Sequence, residues 1–284
     1  MDEQNKNKEQ FIIAYITDFD DCTTPVSHAV FLSQMIHKDV ILLYICDKRY
    51  TTLLPDEAET NMKQLNDRMQ STYPQCKFHY CVLSGETEKV INTLPTLLNA
   101  VAITTRVDKE AKRKSPIHKS NILNDFKSCK TAYLVAQKPL DNTASMNNIA
   151  MTIDFKKESK DKLIWSSYYA RFNKSSVSVL YYDYKDEFLK NKWYSNMKFL
   201  HMFYTNLNLT FVPSIIPSKS TFPDINALNY IEDKNIGLLI TVTTKEKDAM
   251  EFIIGVQEQK TIVNDQKIPI LFLNPREDLY VLCD

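Results

Sequence analysis

Residues 11–136 alternate between apolar runs of strand length and longer stretches with helical periodicity. The runs are FIIAYIT (11–17), VILLYIC (40–46), KFHYCVL (77–83), VAITT (101–105) and TAYLVA (131–136). They are rich in Val, Ile, Tyr and Thr, and several are apolar almost throughout, the pattern of parallel strands covered on both faces. Between them lie stripes at helical spacing. Val26, Ala29, Val30, Ser33 and Ile36 form the first, and Ala58, Met62, Leu65 and Met69 the second. Val90, Leu94, Leu97 and Leu98 form a third, with Pro95 placed to shorten or kink it, and a weaker pattern covers Ile122 to Phe126. Strand and helix in strict alternation predict a doubly wound α/β sheet with right-handed crossovers.

After a polar stretch, PLDNTASMN (139–147), the alternation begins again. Strands are expected at 148–153, 176–182, 208–213, 237–242 and 268–273. Helices are expected at 160–172, 186–206, 224–234 and roughly 246–260, with a proline-broken loop at 214–223. Asp18-Phe19 closes the first strand of one half and Asp154-Phe155 that of the other, 136 positions apart. Arg106, just past the fourth strand, has its counterpart at Val242, again 136 positions on. A constant offset at both ends of each half is the mark of an internal repeat. The expected organisation is a polar N-terminal tail (1–10), a first domain (11–138), a linker (139–147), a second domain (148–273) and a C-terminal tail (274–284).

Several short motifs then resemble the universal stress protein family in its tandem form. The strands ending in Asp appear here as "ITDFD" and "TIDFK", the glycine and acidic residues after the third strand as "LSGETEKVI", and a Pro before the fifth strand as "IPILFL". The resemblance covers roughly residues 11 to 273. It implies two tandem Rossmann-like domains of the adenine nucleotide alpha hydrolase-like type, each a five-stranded parallel sheet of order 3-2-1-4-5 flanked by helices. It also implies that the two halves pack as an intramolecular pseudo-dimer, with a homodimer or an unidentified protein partner allowed.

Nucleotide-binding members of that family carry G-x2-G-x9-G-[S/T] after the fourth strand. Glycine lets backbone amides approach phosphate oxygens closely, and a helix N-terminus adds partial positive charge. The same spacing here gives Arg106-x2-Lys109-x9-Lys119-Ser120 in the first half, with every glycine replaced by a basic residue. In the second half it gives Val242-x2-Lys245-x9-Gly255-Val256, with one glycine kept. Three readings of the basic loop stand open. It is a solvated loop with no ligand, an anion site built from the converging charges of Arg106, Lys109 and Lys119 with Ser120, or a loop whose side chains fill the old phosphate space. The resemblance makes Asp18, Asp154 and Gly255 the candidate nucleotide contacts. A carboxylate at a strand end also accepts bonds from its own loop amides without any ligand, and that reading is favoured for Asp18.

Composition narrows the rest. Lys plus Arg and Asp plus Glu each number 35, so the net charge is zero and a nucleic-acid partner is not expected. The opening MDEQNKNKEQ is unlike a signal peptide, and no apolar run reaches the ~20 residues that span a bilayer; a cytoplasmic location and no membrane partner are expected. The six cysteines are scattered without a C-x-x-C pair, and no two histidines lie at i, i+4, so no metal site is expected. No nucleophile, base and orienting group can be assembled, so catalytic residues are expected to be none. The expected function is that of a non-enzymatic stress-type protein with an interaction or signalling role. No cofactor is expected, and ATP, if held, is held weakly. The alternative is a sensor of a nucleotide or other anion, bound in the second domain or at residues 106–120. A nucleotide hydrolase is the least supported class.

Overall fold

The computed structural model describes residues 9–217, 223–232, 234–243 and 257–275. The chain divides into two compact units, Met1–Asp141 and Asn142–Asp284.

In unit 1 the strands are β1 (Phe11–Ile16), β2 (Asp39–Cys46), β3 (Phe78–Ser84), β4 (Ala100–Arg106) and β5 (Ala132–Ala136). They alternate with helices α1 (Thr23–Ile36), α2 (Pro55–Thr72), α3 (Thr87–Leu97) and α4 (Lys119–Phe126). The order across this unit's sheet is β3-β2-β1-β4-β5, every pair parallel. The apolar runs account for it: Ile12 to Ile16 and Val40 to Cys46 are buried without a break, as strands sandwiched between two helical layers must be.

Unit 2 repeats the plan with β6 (Asn148–Thr152), α5 (Lys162–Tyr168), β7 (Ser176–Tyr181), α6 (Glu187–Asn206), β8 (Val212–Ile215), α7 (Pro223–Ile231), β9 (Leu238–Val242), α8 (Gln257–Thr261) and β10 (Ile270–Leu273). Its order is β8-β7-β6-β9-β10, again parallel. Counted within the unit this is 3-2-1-4-5, so both halves have the arrangement that the resemblance implies.

Three local expectations are corrected. The strand expected at 208–213 lies instead at Val212–Ile215. Helix α6 ends in a left-handed Asn208 (φ 53°), whose amide bonds the Thr205 carbonyl at 3.0 Å while the Leu209 amide bonds that of Tyr204 at 2.9 Å. This helix stop consumes both residues before the strand can start. The buried stripe of α3 is Thr87, Ile91 and Pro95, and Leu97, expected inside, is 81% exposed. The helix face is set at its first turn, where Thr87 is tied to Asp47. The helix expected over 160–172 is three pieces: a 3₁₀ turn at Lys157–Asp161, then α5, then a π-type turn at Tyr169–Asn173. Of the helix expected over 246–260, only Gln257 onward lies within the described residues.

Helix α1 also carries a buried histidine. His28 is 1% exposed, and its Nε2–H donates to the Lys138 carbonyl at 3.2 Å, while Leu140 donates its amide to Ser27 Oγ at 2.9 Å. Burial pushes the imidazole down to about 4, with the Lys138 carbonyl bond and Asp141 opposing and Lys138 reinforcing the shift. A base depressed in the folded state costs stability as pH falls from its unfolded value of 6.5 toward 4. The loss is about 2 kcal/mol by pH 5 and about 3 kcal/mol in full. Urea midpoints at pH 7 and pH 5 should differ accordingly, and His28→Gln, which cannot charge, should remove most of the difference.

Candidate functional site

In sheets of this order, ligands sit beyond the carboxyl ends of the strands where the direction of winding reverses. In unit 1 that point lies between β1 and β4, and the loops leaving these strands are the ones that the sequence singled out.

The β1 loop turns tightly after Thr17. Asp18 Oδ1 accepts the Asp20 amide at 2.9 Å, and Phe19 lies on Tyr44 of β2 with ring centroids 4.7 Å apart. Asp21, one step on, meets Arg106 at the end of β4. The Arg106 guanidinium donates to Asp21 Oδ2 through Nη1 and to Asp108 Oδ2 at 3.1 Å through Nη2. Its side chain is only 17% exposed. The first basic residue of the loop is thus turned inward and matched by two carboxylates.

The rest of that loop is closed on itself. Asp108 and Ile117 bridge its neck (amide to carbonyl, 3.1 Å), Asp108 Oδ1 accepts the Glu110 amide at 2.9 Å, and Asn121 Nδ2 donates to the carbonyls of Arg113 and Ser115 at 2.8 and 2.7 Å. At the start of α4 the Ser120 amide donates to His118 Nδ1 at 3.2 Å. An amide that would face a phosphate at this helix end is therefore already engaged by a side chain. Lys109 is exposed and Lys119 half-buried at the first position of α4.

A cavity of about 760 Å³ opens on the α2 side of the β1 loop. It is lined by residues 17–20 of that loop, by Tyr44, by Thr51 to Leu53, and by Glu57, Asn61, Gln64, Leu65 and Arg68 of α2. Asp18 faces it. Arg68 Nη2 donates to the Phe19 carbonyl at 3.2 Å and to Cys22 Sγ at 3.5 Å, so that nitrogen props the β1 loop.

Beyond β2 lies a polar knot that sequence reasoning missed. Asp47 is 2% exposed. It accepts the Thr87 amide at 2.7 Å, Thr87 Oγ1 at 2.9 Å, the Arg49 amide at 2.9 Å and Arg49 Nη2 at 2.6 Å. Arg49 and Tyr50 reach on to Asp125 of α4 at 3.3 and 3.1 Å. Burial alone would raise the Asp47 carboxyl, but the bonds from Arg49 and Thr87 outweigh it and hold it far below the usual carboxylate range; Asp125 is raised by burial. The carboxylates are taken up by Arg49, Tyr50 and Thr87, so the arrangement joins the β2 loop, α3 and α4. The available signal was an Asp and an Arg placed immediately after a fully apolar strand.

In unit 2 Asp154 holds its own loop. Its Oδ1 accepts the Lys156 amide at 2.9 Å and the Ser159 hydroxyl. Between β6 and β9, Asp224 of α7 accepts the hydroxyls of Thr152 and Thr241 at 3.0 and 2.5 Å. Lys162, 3% exposed, donates Nζ to Thr152 Oγ1 at 3.0 Å. Burial raises Asp224, with the Lys162 ammonium working against that shift. The crevice of unit 2 thus holds a buried lysine and a carboxyl on the same threonine. Thr241 has Thr105 as its repeat counterpart, whose buried hydroxyl has no partner among the described residues. Gly255 and Lys245, the second-half loop candidates, lie outside the described residues. Among the described residues, no group of three or more His, Cys, Asp or Glu side chains is placed to hold a metal ion, and no helix is long and apolar enough to cross a membrane.

No protein-family model matches the sequence, and no curated protein does. Solved structures do match. A universal stress protein from Archaeoglobus fulgidus DSM 4304 superposes with a TM-score of 0.64 at 10% identity, covering 94% of this chain and 97% of that one. A functionally unknown protein from Pseudomonas aeruginosa PAO1 gives 0.62 at 11% identity, covering 96% and 94%. The cytoplasmic domain of a prokaryotic cation chloride cotransporter gives 0.56 at 12% identity, covering 97% and 99%. With five strands in the order 3-2-1-4-5 in each of two units and these neighbours across nearly its whole length, the chain has a universal stress protein-like fold, repeated in tandem.

Proposed function

We propose that this protein is a non-enzymatic, tandem universal stress-type protein, acting through interaction or signalling, whose first unit has given up tight ATP binding. The observation that carries the reading is the engagement of Arg106 by Asp21 and Asp108. A phosphate would have to displace two carboxylates from the one guanidinium at the start of the loop, and would find the Ser120 amide already capped by His118. A close backbone approach, the advantage of glycine, is denied at 106, 109 and 119 by their side chains. The same closure argues against an anion sensor at residues 106–120. The fold by itself does not choose a stress role, since the cytoplasmic domain of a cotransporter shares it.

Titration of the full chain with ATP, followed by calorimetry and by backbone amide shifts, tests this. The expected result is no saturation at micromolar nucleotide and no shifts within 106–120. Micromolar affinity that survives Gly255→Val and is lost on altering residues 106–120 would overturn it. Shifts confined to the neighbourhood of Asp154 would move a vestigial site into unit 2.

A further inference from the structure

The geometry points to the cavity beside the β1 loop as a binding site for a small organic ammonium ion. The inference rests on the reading that unit 1 no longer takes nucleotide and names what the space beside Asp18 is suited to hold instead. The cavity, about 760 Å³, is of the size that takes a small molecule. Its charged lining is Asp18, Asp20 and Glu57 against the single Arg68. Arg68 is partly spent on the Phe19 carbonyl and Cys22 Sγ. Asp18 and Glu57 each give one oxygen to a backbone amide, of Asp20 and Leu54, and so keep acceptor capacity for a ligand. An anion entering here meets a surplus of negative charge.

Two features select an organic cation over a metal. The acidic side chains are not gathered into a set of three that could hold one ion, among the described residues. The lining also includes an aromatic pair, Phe19 and Tyr44, with ring centroids 4.7 Å apart; aromatic rings attract an ammonium group and pack against its carbon skeleton. Asn61, Gln64 and Thr52 supply neutral polar contacts along the wall. Exposed carboxylates and aromatic rings lining one cavity are suited to a charged amine on a short apolar body.

The test is a titration of the full chain with 1,4-diaminobutane at constant ionic strength, read by amide shifts. Butane-1,4-diol and Mg²⁺ serve as comparisons. Saturable shifts at Phe19, Tyr44 and Asn61 are expected with the diamine and not with the diol. Asp18→Asn with Asp20→Asn keeps the turn acceptor at position 18 and should weaken the diamine by about tenfold or more, through lost charge. Phe19→Leu should weaken it by about threefold, through the lost ring face. Absence of saturation by roughly 10 mM, a weak-contact ceiling, would overturn the inference. So would equal binding of the diol, or the same shifts with Mg²⁺. Failure here without ATP binding at 106–120 leaves the reading of unit 1 standing, whereas micromolar ATP binding there sinks that reading whatever the diamine does.

Discussion

Replacing Asp47 by Ala is expected to destabilise unit 1 by about 3 kcal/mol, the largest effect of a polar substitution in this half. The side chain is small, so little packing is lost. The cost arises from what is left behind. The Thr87 amide and hydroxyl lose their acceptor inside the fold, and Arg49 loses four contacts to the carboxylate. Asp125, already raised by burial, then depends on a guanidinium that is no longer positioned from its other side. Arg49 is nearly half exposed, so water recovers part of its loss and keeps the total below that of a fully buried pair. Asp47→Asn should fall between, because an amide oxygen can still accept from Thr87. The pH dependence has a definite sign. A carboxyl depressed in the folded state stabilises above its unfolded value near 4 and loses that contribution as pH falls below it. An acid titration of unit 1 should therefore show two losses. The first, from His28, runs from pH 6.5 downward, and the second, from Asp47, begins near pH 4. Urea unfolding across pH 7 to 3, in the wild type and both Asp47 variants, checks each part.

Gly237→Ala is expected to be equally damaging to unit 2, by steric overlap in place of lost bonds. A Cβ at this position would lie 1.9 Å from the Ser145 carbonyl oxygen and 2.5 Å from its carbon. Both atoms are backbone, so no rotamer change relieves the overlap. The turn at Thr143–Asn147 runs directly over Gly237, whose amide donates to the Asn148 carbonyl at 2.8 Å. Moving the turn away would disturb the starts of β6 and β9 together. A cost of about 3 kcal/mol is expected, read as faster amide exchange in Asn148–Thr152 and Leu238–Val242. Gly85→Ala is the comparison. That glycine has φ +147°, but a Cβ there would meet only an ordinary van der Waals contact, Val90 Cγ2 at 3.8 Å. It should cost only the backbone term of about 1 kcal/mol. Equal effects at the two glycines would show that overlap at Ser145 is not the cause.

Much of the architecture is written in local pattern. Near-continuous apolar runs such as IIAYI and VILLYIC, short and rich in Ile, Val and Tyr, have the pattern of strands buried on both faces, and the offset of 136 between Asp18 and Asp154 marks the repeat. The misreadings come from places where a capping or packing contact overrides periodicity. Asn208 took a left-handed conformation to stop α6, displacing β8, and the Thr87–Asp47 bonds rotated α3 so that Leu97 faces solvent.

The candidate site divides along the same line. That 106, 109 and 119 are basic residues and not glycine is a fact of sequence, and so is the steric consequence that their side chains limit how closely the backbone can approach a ligand. What Arg106 pairs with was not legible. Arg106 is 85 residues from Asp21 along the chain, and only the adjacency of β1 and β4 in the sheet brings them together. The same holds for Asp47 with Thr87 and Asp125, for Lys162 with Asp224 across β6 and β9, and for the acidic cavity between the β1 loop and α2. Hydrophobic periodicity depends on neighbours within a few residues, so the sequence by itself determined the elements, their order and the repeat. Charge pairing depends on distance in space, so which basic residues are neutralised and which acids share a cavity was decided only by the tertiary structure.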